Sequence, residues 1–337
     1  MKILYDPEPR QSEEIFSEAD LARFRGAHEV IEFRGGDRDE FYRQNLPETE
    51  ILISQQAMER DRLDLAPDLR AIFNVETNFL PNIDYSACFA RGIHLLAPSS
   101  VFALPVAEIG LGMALSLARG IHSAHGDFVL GQEQYGLEGS SEAELMSGSS
   151  IGFVGFGDLG RALFLLLTGF RPTVRVFDPW LPDGHLQRSG VIPASLDEVL
   201  LRSRLVFVVA AITTENRHLL DHNRLEKMQK GAMLVLLSRA AVVDFDALKE
   251  FAASGHIRVA TDVFPDEPVP EDDPIRRTPG ILFSAHRAGA LSSALSQIGA
   301  LVLEDLQQIE AGLPPTSCKR AEPETVSRLR SKPIEKT

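Results

Sequence analysis

Arg239, Glu267 and His286 are of types that together could hold an anion and move a proton. A guanidinium grips a carboxylate with planar, bidentate geometry and polarises a carbonyl beside it. Imidazolium is the usual donor of a proton to a reacting oxygen. Free histidine titrates near pH ~6.5, so an adjacent carboxylate helps keep it charged around neutrality. Arg239, His286 and Glu267 fill these roles in turn, and the set is what hydride transfer to a 2-oxo acid requires. Each also has a plainer reading. Arg239 could cap a helix or pair with Asp244, and Glu267 is one charge in a loop that also holds Asp266, Glu271, Asp272 and Asp273. His286 is one of nine histidines. Position gives the three their joint weight. Each follows an apolar run that reads as a strand (233–237, 258–263 and 281–283), and ligands of open parallel sheets sit at the carboxyl ends of strands.

A hydride carrier needs its own seat, and the stretch 150–160 supplies one. The apolar run 151–154 leads into Gly155-Phe156-Gly157-Asp158-Leu159-Gly160, and a Leu-rich helix start follows. This is G-x-G-x-x-G in the context it needs, after a strand and opening a helix. Gly155 permits the tight turn, Gly157 lets a pyrophosphate approach the backbone, and Gly160 lets helix and strand pack closely. The helix start offers unpaired N–H groups to the phosphates. The next strand, 173–177, ends at Asp178, 18 residues after Gly160. An acid there accepts hydrogen bonds from both ribose hydroxyls of NAD and repels the 2′-phosphate of NADP. NAD is therefore expected and NADP is less favoured. S-adenosylmethionine enzymes also use a strand-end acid, so the loop alone leaves that ligand class open.

Two alternating series of strands and helices must position these residues. The first hundred residues predict strands at 2–5, 28–33, 50–54, 70–74 and 92–96, with helices at 17–24, 39–46 and 84–91. That alternation predicts a small parallel sheet covered on both faces. A long apolar helix, 105–119, carries small residues and is expected to be buried between domains or subunits. Residues 122–149 read as a polar, irregular arm. Its sparse apolar residues, such as Phe128, Val129 and Leu130, suit a partner subunit or an ordinary surface loop. A second series starts at Ile151, and its near-continuous apolar strands indicate burial on both faces of a doubly wound sheet. The helix 291–310 is expected to return to the first domain. The resulting division is 1–98 with 287–337 against 99–286, and 313–337 is expected as an extended or partly disordered tail.

Bulk properties exclude some functions. The 337 residues suffice for two ordinary domains. A net charge of −14 argues against nucleic acid or an anionic membrane as the main partner, since both need a positive face. No apolar run reaches the roughly 20 residues that span a bilayer, and the N-terminus lacks a signal-peptide pattern. Cys88 and Cys318 belong to no metal-type cluster, which fits a reducing, cytoplasmic setting and no structural metal.

In their order these motifs resemble the D-isomer-specific 2-hydroxyacid dehydrogenases, the family of phosphoglycerate, glycerate and formate dehydrogenases. Gly155 to Gly160 with Asp178 is similar to the family's NAD fingerprint. Ser238-Arg239-Ala240-Ala241-Val242-Val243-Asp244 resembles its arginine motif, Asp262-Val263-Phe264-Pro265-Asp266-Glu267-Pro268 its acidic motif, and Ser284-Ala285-His286-Arg287-Ala288-Gly289 its histidine motif. The resemblance implies a Rossmann NAD domain and a flavodoxin-like substrate domain with a cleft between them, and a homodimer. It implies the short form of the family, without a regulatory domain. Cofactor contacts are implied for Ser238, Arg239, Asp262 (to the nicotinamide carboxamide) and His286, and a small anionic 2-hydroxy or 2-oxo acid for Arg239 and His286. Where the family has a Gly-x-Gly substrate loop, this sequence has Val75-Glu76-Thr77-Asn78, so those four residues are expected at the substrate with altered preference. Ala240 replaces a common glycine, and Ser284-Ala285 a common Thr-Pro. Two alternatives stand beside this reading. One is a non-catalytic NAD(H) sensor on the same fold, like the family's co-repressors. The other is an NADP-preferring glyoxylate or hydroxypyruvate reductase.

Overall fold

The computed structural model describes residues 1–75 and 79–329. The chain forms two compact units, Met1–Phe102 with Leu291–Thr337, and Ala103–Ala290. The divisions at 102/103 and 290/291 lie four residues beyond those expected from sequence, because the turn after Pro98 and the loop after His286 stay with the elements before them.

In the first unit the strands are β1 (Lys2–Asp6), β2 (Glu29–Glu32), β3 (Ile51–Ser54), β4 (Ala71–Phe73) and β5 (His94–Ala97). Numbering strands along the whole chain makes the last one β13 (Lys319–Arg320), and the sheet order is β13-β5-β4-β3-β1-β2. All pairs are parallel except β13 on β5. Helices start where polar side chains can take orphan N–H groups. Ser17 accepts from the Asp20 N–H at 3.1 Å to open Glu18–Ala27, and Asp84 accepts from Ala87 at 2.9 Å to open Tyr85–Ala90. Helix Gln297–Glu310 returns to this unit, and its buried Ile298, Val302, Leu306 and Ile309 join Ile3, Phe16 and Phe24 in one core. The expected tail is ordered well past residue 313. Asp305, fully buried on that helix, accepts N–H bonds from Thr316 (2.7 Å), Ser317 (2.8 Å) and Cys318 (2.8 Å), which leads the chain into β13.

The second unit carries β6 (Ser150–Val154), β7 (Thr173–Phe177), β8 (Ile192–Pro193), β9 (Leu205–Val208), β10 (Ala232–Leu236), β11 (Ile257–Thr261) and β12 (Ile281–Phe283). The order is β12-β11-β10-β9-β6-β7-β8, all parallel. The fully buried strands β9 and β10 match their unbroken apolar sequences. β6 lies where the strand order reverses, which is where ligands of such sheets bind.

Two expectations for this unit change. The helical stretch Ser99–Arg119 is long and apolar enough to cross a membrane by length and composition, contrary to the sequence estimate. Its inner face, Ala107, Met113, Ala114 and Leu117, joins the core behind β6, so it also fits a core helix. The arm is not wholly irregular either. Ile121–Leu130 is a helix set between two left-handed glycines, Gly120 (φ 61°) and Gly131 (φ 67°). None of its residues is buried, so no apolar periodicity marked it.

Candidate active site

β6 feeds directly into the glycine loop. Gly155 has φ 91°, and a Cβ there would lie 2.6 Å from the Ala210 Cα, so the turn passes too close to the end of β9 for any side chain. A Cβ on Gly160 would lie 3.1 Å from the Gly155 carbonyl oxygen, which is the close helix packing expected of it. At Gly157 a Cβ would meet nothing within 4 Å, leaving room for a phosphate to approach the backbone. The helix start and the open space both suit a dinucleotide diphosphate.

The side chain of Phe156 is fully buried, packed edge-on to Phe153 at 5.8 Å. The whole residue is closed to solvent, and its N–H is donated to Asp178 Oδ2 at 2.8 Å, so it supports the acid. Asp178 Oδ1 accepts the Trp180 N–H at 2.9 Å. A carboxylate has about four lone-pair sites, so two remain for ribose hydroxyls. Leu159 packs against the core, and Asp158 is paired with Arg161.

Arg239, Glu267 and His286 follow β10, β11 and β12, three neighbouring strands. His286 Nδ1 lies 2.5 Å from Glu267 Oε2, and Glu267 Oε1 accepts the Phe264 N–H at 2.8 Å. Both carboxylate oxygens are thus anchored. Burial raises the Glu267 carboxyl, but the His286 and Phe264 hydrogen bonds and the charges of His286 and Arg239 outweigh it, leaving it below the usual range. Burial also lowers the Arg239 guanidinium, opposed by the charge of Glu267. Arg239 Nη1 donates to the Ser238 carbonyl at 2.7 Å, and among the described residues no carboxylate lies within ion-pair distance of it. A half-buried cation with no such partner suits an incoming carboxylate. Ser238 is buried, its hydroxyl 3.3 Å from the Val208 carbonyl.

His286 has φ 46°, a conformation few non-glycine residues adopt. Asp262 holds it there. Its carbonyl accepts the His286 N–H at 2.7 Å, and its carboxylate accepts the N–H groups of Arg287 (3.1 Å) and Ala288 (3.0 Å). The sequence reading assigned Asp262 to the cofactor and missed this support of the histidine loop. It also missed Arg161, although the i,i+3 spacing from Asp158 places the two on one helix face. Val75 is fully buried, backbone included, while Glu76, Thr77 and Asn78 lie outside the described residues.

Residues 111–288 match the model of the D-isomer specific 2-hydroxyacid dehydrogenase, NAD binding domain. A solved structure of a phosphoglycerate oxidoreductase from Rhizobium etli superposes with a TM-score of 0.88 at 48% identity, over 96% of this chain and 99% of that one. The glyoxylate reductase of Thermofilum pendens is 30% identical over 284 residues, 81% of this chain and 80% of its own. The D-3-phosphoglycerate dehydrogenase of Methanocaldococcus jannaschii is 24% identical over 287 residues, 84% of this chain but only 54% of its own length. The chain thus spans about half of that longer relative.

Proposed function

Because the chain belongs to the D-isomer specific 2-hydroxyacid dehydrogenases, we propose that it interconverts a small 2-hydroxy acid and its 2-oxo acid with NAD(H). The His286–Glu267 pair, with Arg239 making no ion pair among the described residues, is the observation that carries this reading. A bound nicotinamide supplies or accepts the hydride. Arg239 holds the substrate carboxylate and polarises its carbonyl. Glu267 engages Nδ1 of His286, which leaves Nε2 to give the proton to the substrate oxygen in reduction and take it back in oxidation. Asp178, at the end of β7, favours NADH over NADPH.

Two of the three similar proteins are named for phosphoglycerate and one for glyoxylate, so 3-phosphohydroxypyruvate, hydroxypyruvate and glyoxylate head the substrate panel. The test is consumption of NADH and NADPH with each, repeated with His286→Ala. Turnover by the wild type and its loss in the variant support the reading. Equal turnover by the variant removes His286 from the mechanism. NADH binding without turnover on any acid would favour the sensor.

A homodimer is part of the proposal. Ile121, Phe128, Val129, Leu130, Tyr135 and Leu137 are all more than half exposed within one short stretch. So much apolar surface in one segment suits burial against a second copy. Sedimentation of the intact protein tests this, and a monomer at micromolar concentration would exclude it.

A further inference from the structure

The glycine loop carries a charge that a diphosphate opposes. Asp158 is the first residue of the ten-residue helix Asp158–Leu167. A carboxylate there favours the helix, since it faces the positive end of the dipole. The same position would receive the two negative charges of a dinucleotide diphosphate. Arg161 answers that charge. Its Nη2 lies 2.6 Å from Asp158 Oδ1, and its Nη1 reaches the Phe156 carbonyl oxygen at 3.4 Å. The two side chains are 40% and 44% exposed, so they can rearrange when an anion arrives. Beside them Gly157 leaves open space.

We propose that Asp158 and Arg161 together set the affinity of the loop for the cofactor's diphosphate. Asp158 lowers that affinity, and Arg161 restores part of it by neutralising Asp158. The proposal rests on the dinucleotide reading of this loop. Both residues determine binding and neither takes part in hydride or proton transfer. Alone, Asp158 would place a third negative charge at a helix end already holding two.

The test is titration of the intact protein with NADH, read by quenching of Trp180. That residue is the only tryptophan in the sequence, and its N–H is bonded to Asp178. The proteins are the wild type, Asp158→Asn, Arg161→Ala and the double variant, with melting temperatures to confirm folding. At low salt Asp158→Asn should bind NADH about tenfold more tightly, and Arg161→Ala about tenfold more weakly. The double variant should bind within about threefold of Asp158→Asn, because Arg161 then has no carboxylate left to neutralise. The differences should shrink at about 0.3 M salt, where exposed charges are screened. Equal or weaker binding by Asp158→Asn overturns the proposal. So does an Arg161→Ala loss that persists in full in the Asp158→Asn background, since Arg161 would then act independently of Asp158. Unchanged affinity across all variants overturns this proposal alone, whereas no NADH binding by the wild type overturns the dinucleotide reading as well.

Discussion

His286 Nδ1 and Glu267 Oε2 lie 2.5 Å apart although 19 residues separate them in sequence, and each is fixed from behind. The Phe264 N–H holds the other oxygen of Glu267, and Asp262 holds the backbone of His286 in its left-handed conformation. Such a conformation in a non-glycine residue costs on the order of 1–3 kcal/mol and persists only where surrounding bonds over-determine it. The bonds from Asp262 meet that condition.

Replacing Glu267 by Gln should remove the charge that stabilises imidazolium while keeping the shape. The kcat for reduction should fall about 10–100-fold. The same substitution tests a stability effect. The Glu267 carboxyl is held below its ordinary value of 4.5, so the folded chain releases that proton more readily than the unfolded chain. Its contribution to stability is complete above that value and is lost as pH falls through the lowered one. Urea unfolding between pH 3 and 6 should therefore show a shallower acid loss in Glu267→Gln than in wild type. Identical slopes would mean that the pair does not hold in solution.

Arg239 predicts a divergence of stability and activity. Its guanidinium loses hydration on burial and has no ion pair among the described residues to compensate. Arg239→Met should leave the apoprotein as stable or up to about 1 kcal/mol more stable, because an apolar chain replaces a poorly solvated charge. It should reduce kcat/KM about 1,000-fold, or about 4 kcal/mol of transition-state binding. Arg239→Lys should recover little, since a point charge lacks the planar fork. Chemical denaturation with steady-state kinetics measures both. A marked loss of stability in Arg239→Met would show that the guanidinium serves the fold.

Much of this architecture is legible in the sequence because its signals are local. Strands such as 205–208 and 232–236 are unbroken apolar runs, and Ser17 and Asp84 announce helices through their own side chains. The order of the glycine, arginine, acidic and histidine motifs follows the strand ends that carry them. What escaped carries no local periodic signature. Ile121–Leu130 buries nothing and so shows no apolar face. β8 is a two-residue edge strand containing proline, a residue that argues against a strand. The ordered chain after residue 313 depends on Asp305, whose partners lie 11–13 residues away and have no periodic signature.

That carboxylate should matter to the first unit out of proportion to its size. Asp305 is fully buried and accepts three backbone N–H bonds, each assisted by its charge. Asp305→Ala would leave three donors without their acceptor and should destabilise this unit by about 3 kcal/mol. Asp305→Asn keeps the volume but offers one acceptor oxygen in place of two, so an intermediate loss is expected. Hydrogen exchange should show lost protection at residues 316–320 first. Unchanged protection there would mean that the pairing of β13 with β5 holds the segment by itself.

Gly155 and Gly157 stand two residues apart in one loop yet should respond to alanine in opposite ways. At Gly155 a Cβ would approach the Ala210 backbone to 2.6 Å, and φ 91° is already unfavourable for a side chain. Gly155→Ala should therefore destabilise the apoprotein by at least about 3 kcal/mol, whatever its cofactor. At Gly157 φ is −71° and a Cβ would meet nothing within 4 Å. Gly157→Ala should change stability by less than about 1 kcal/mol, and toward greater stability, because the unfolded chain loses freedom. Its cost should appear only on binding, where the methyl stands where the diphosphate must approach, and NADH affinity should fall at least about tenfold. Urea unfolding without cofactor, paired with NADH titration, separates the two effects. Wild-type affinity in a well-folded Gly157→Ala would place the diphosphate elsewhere on the sheet edge.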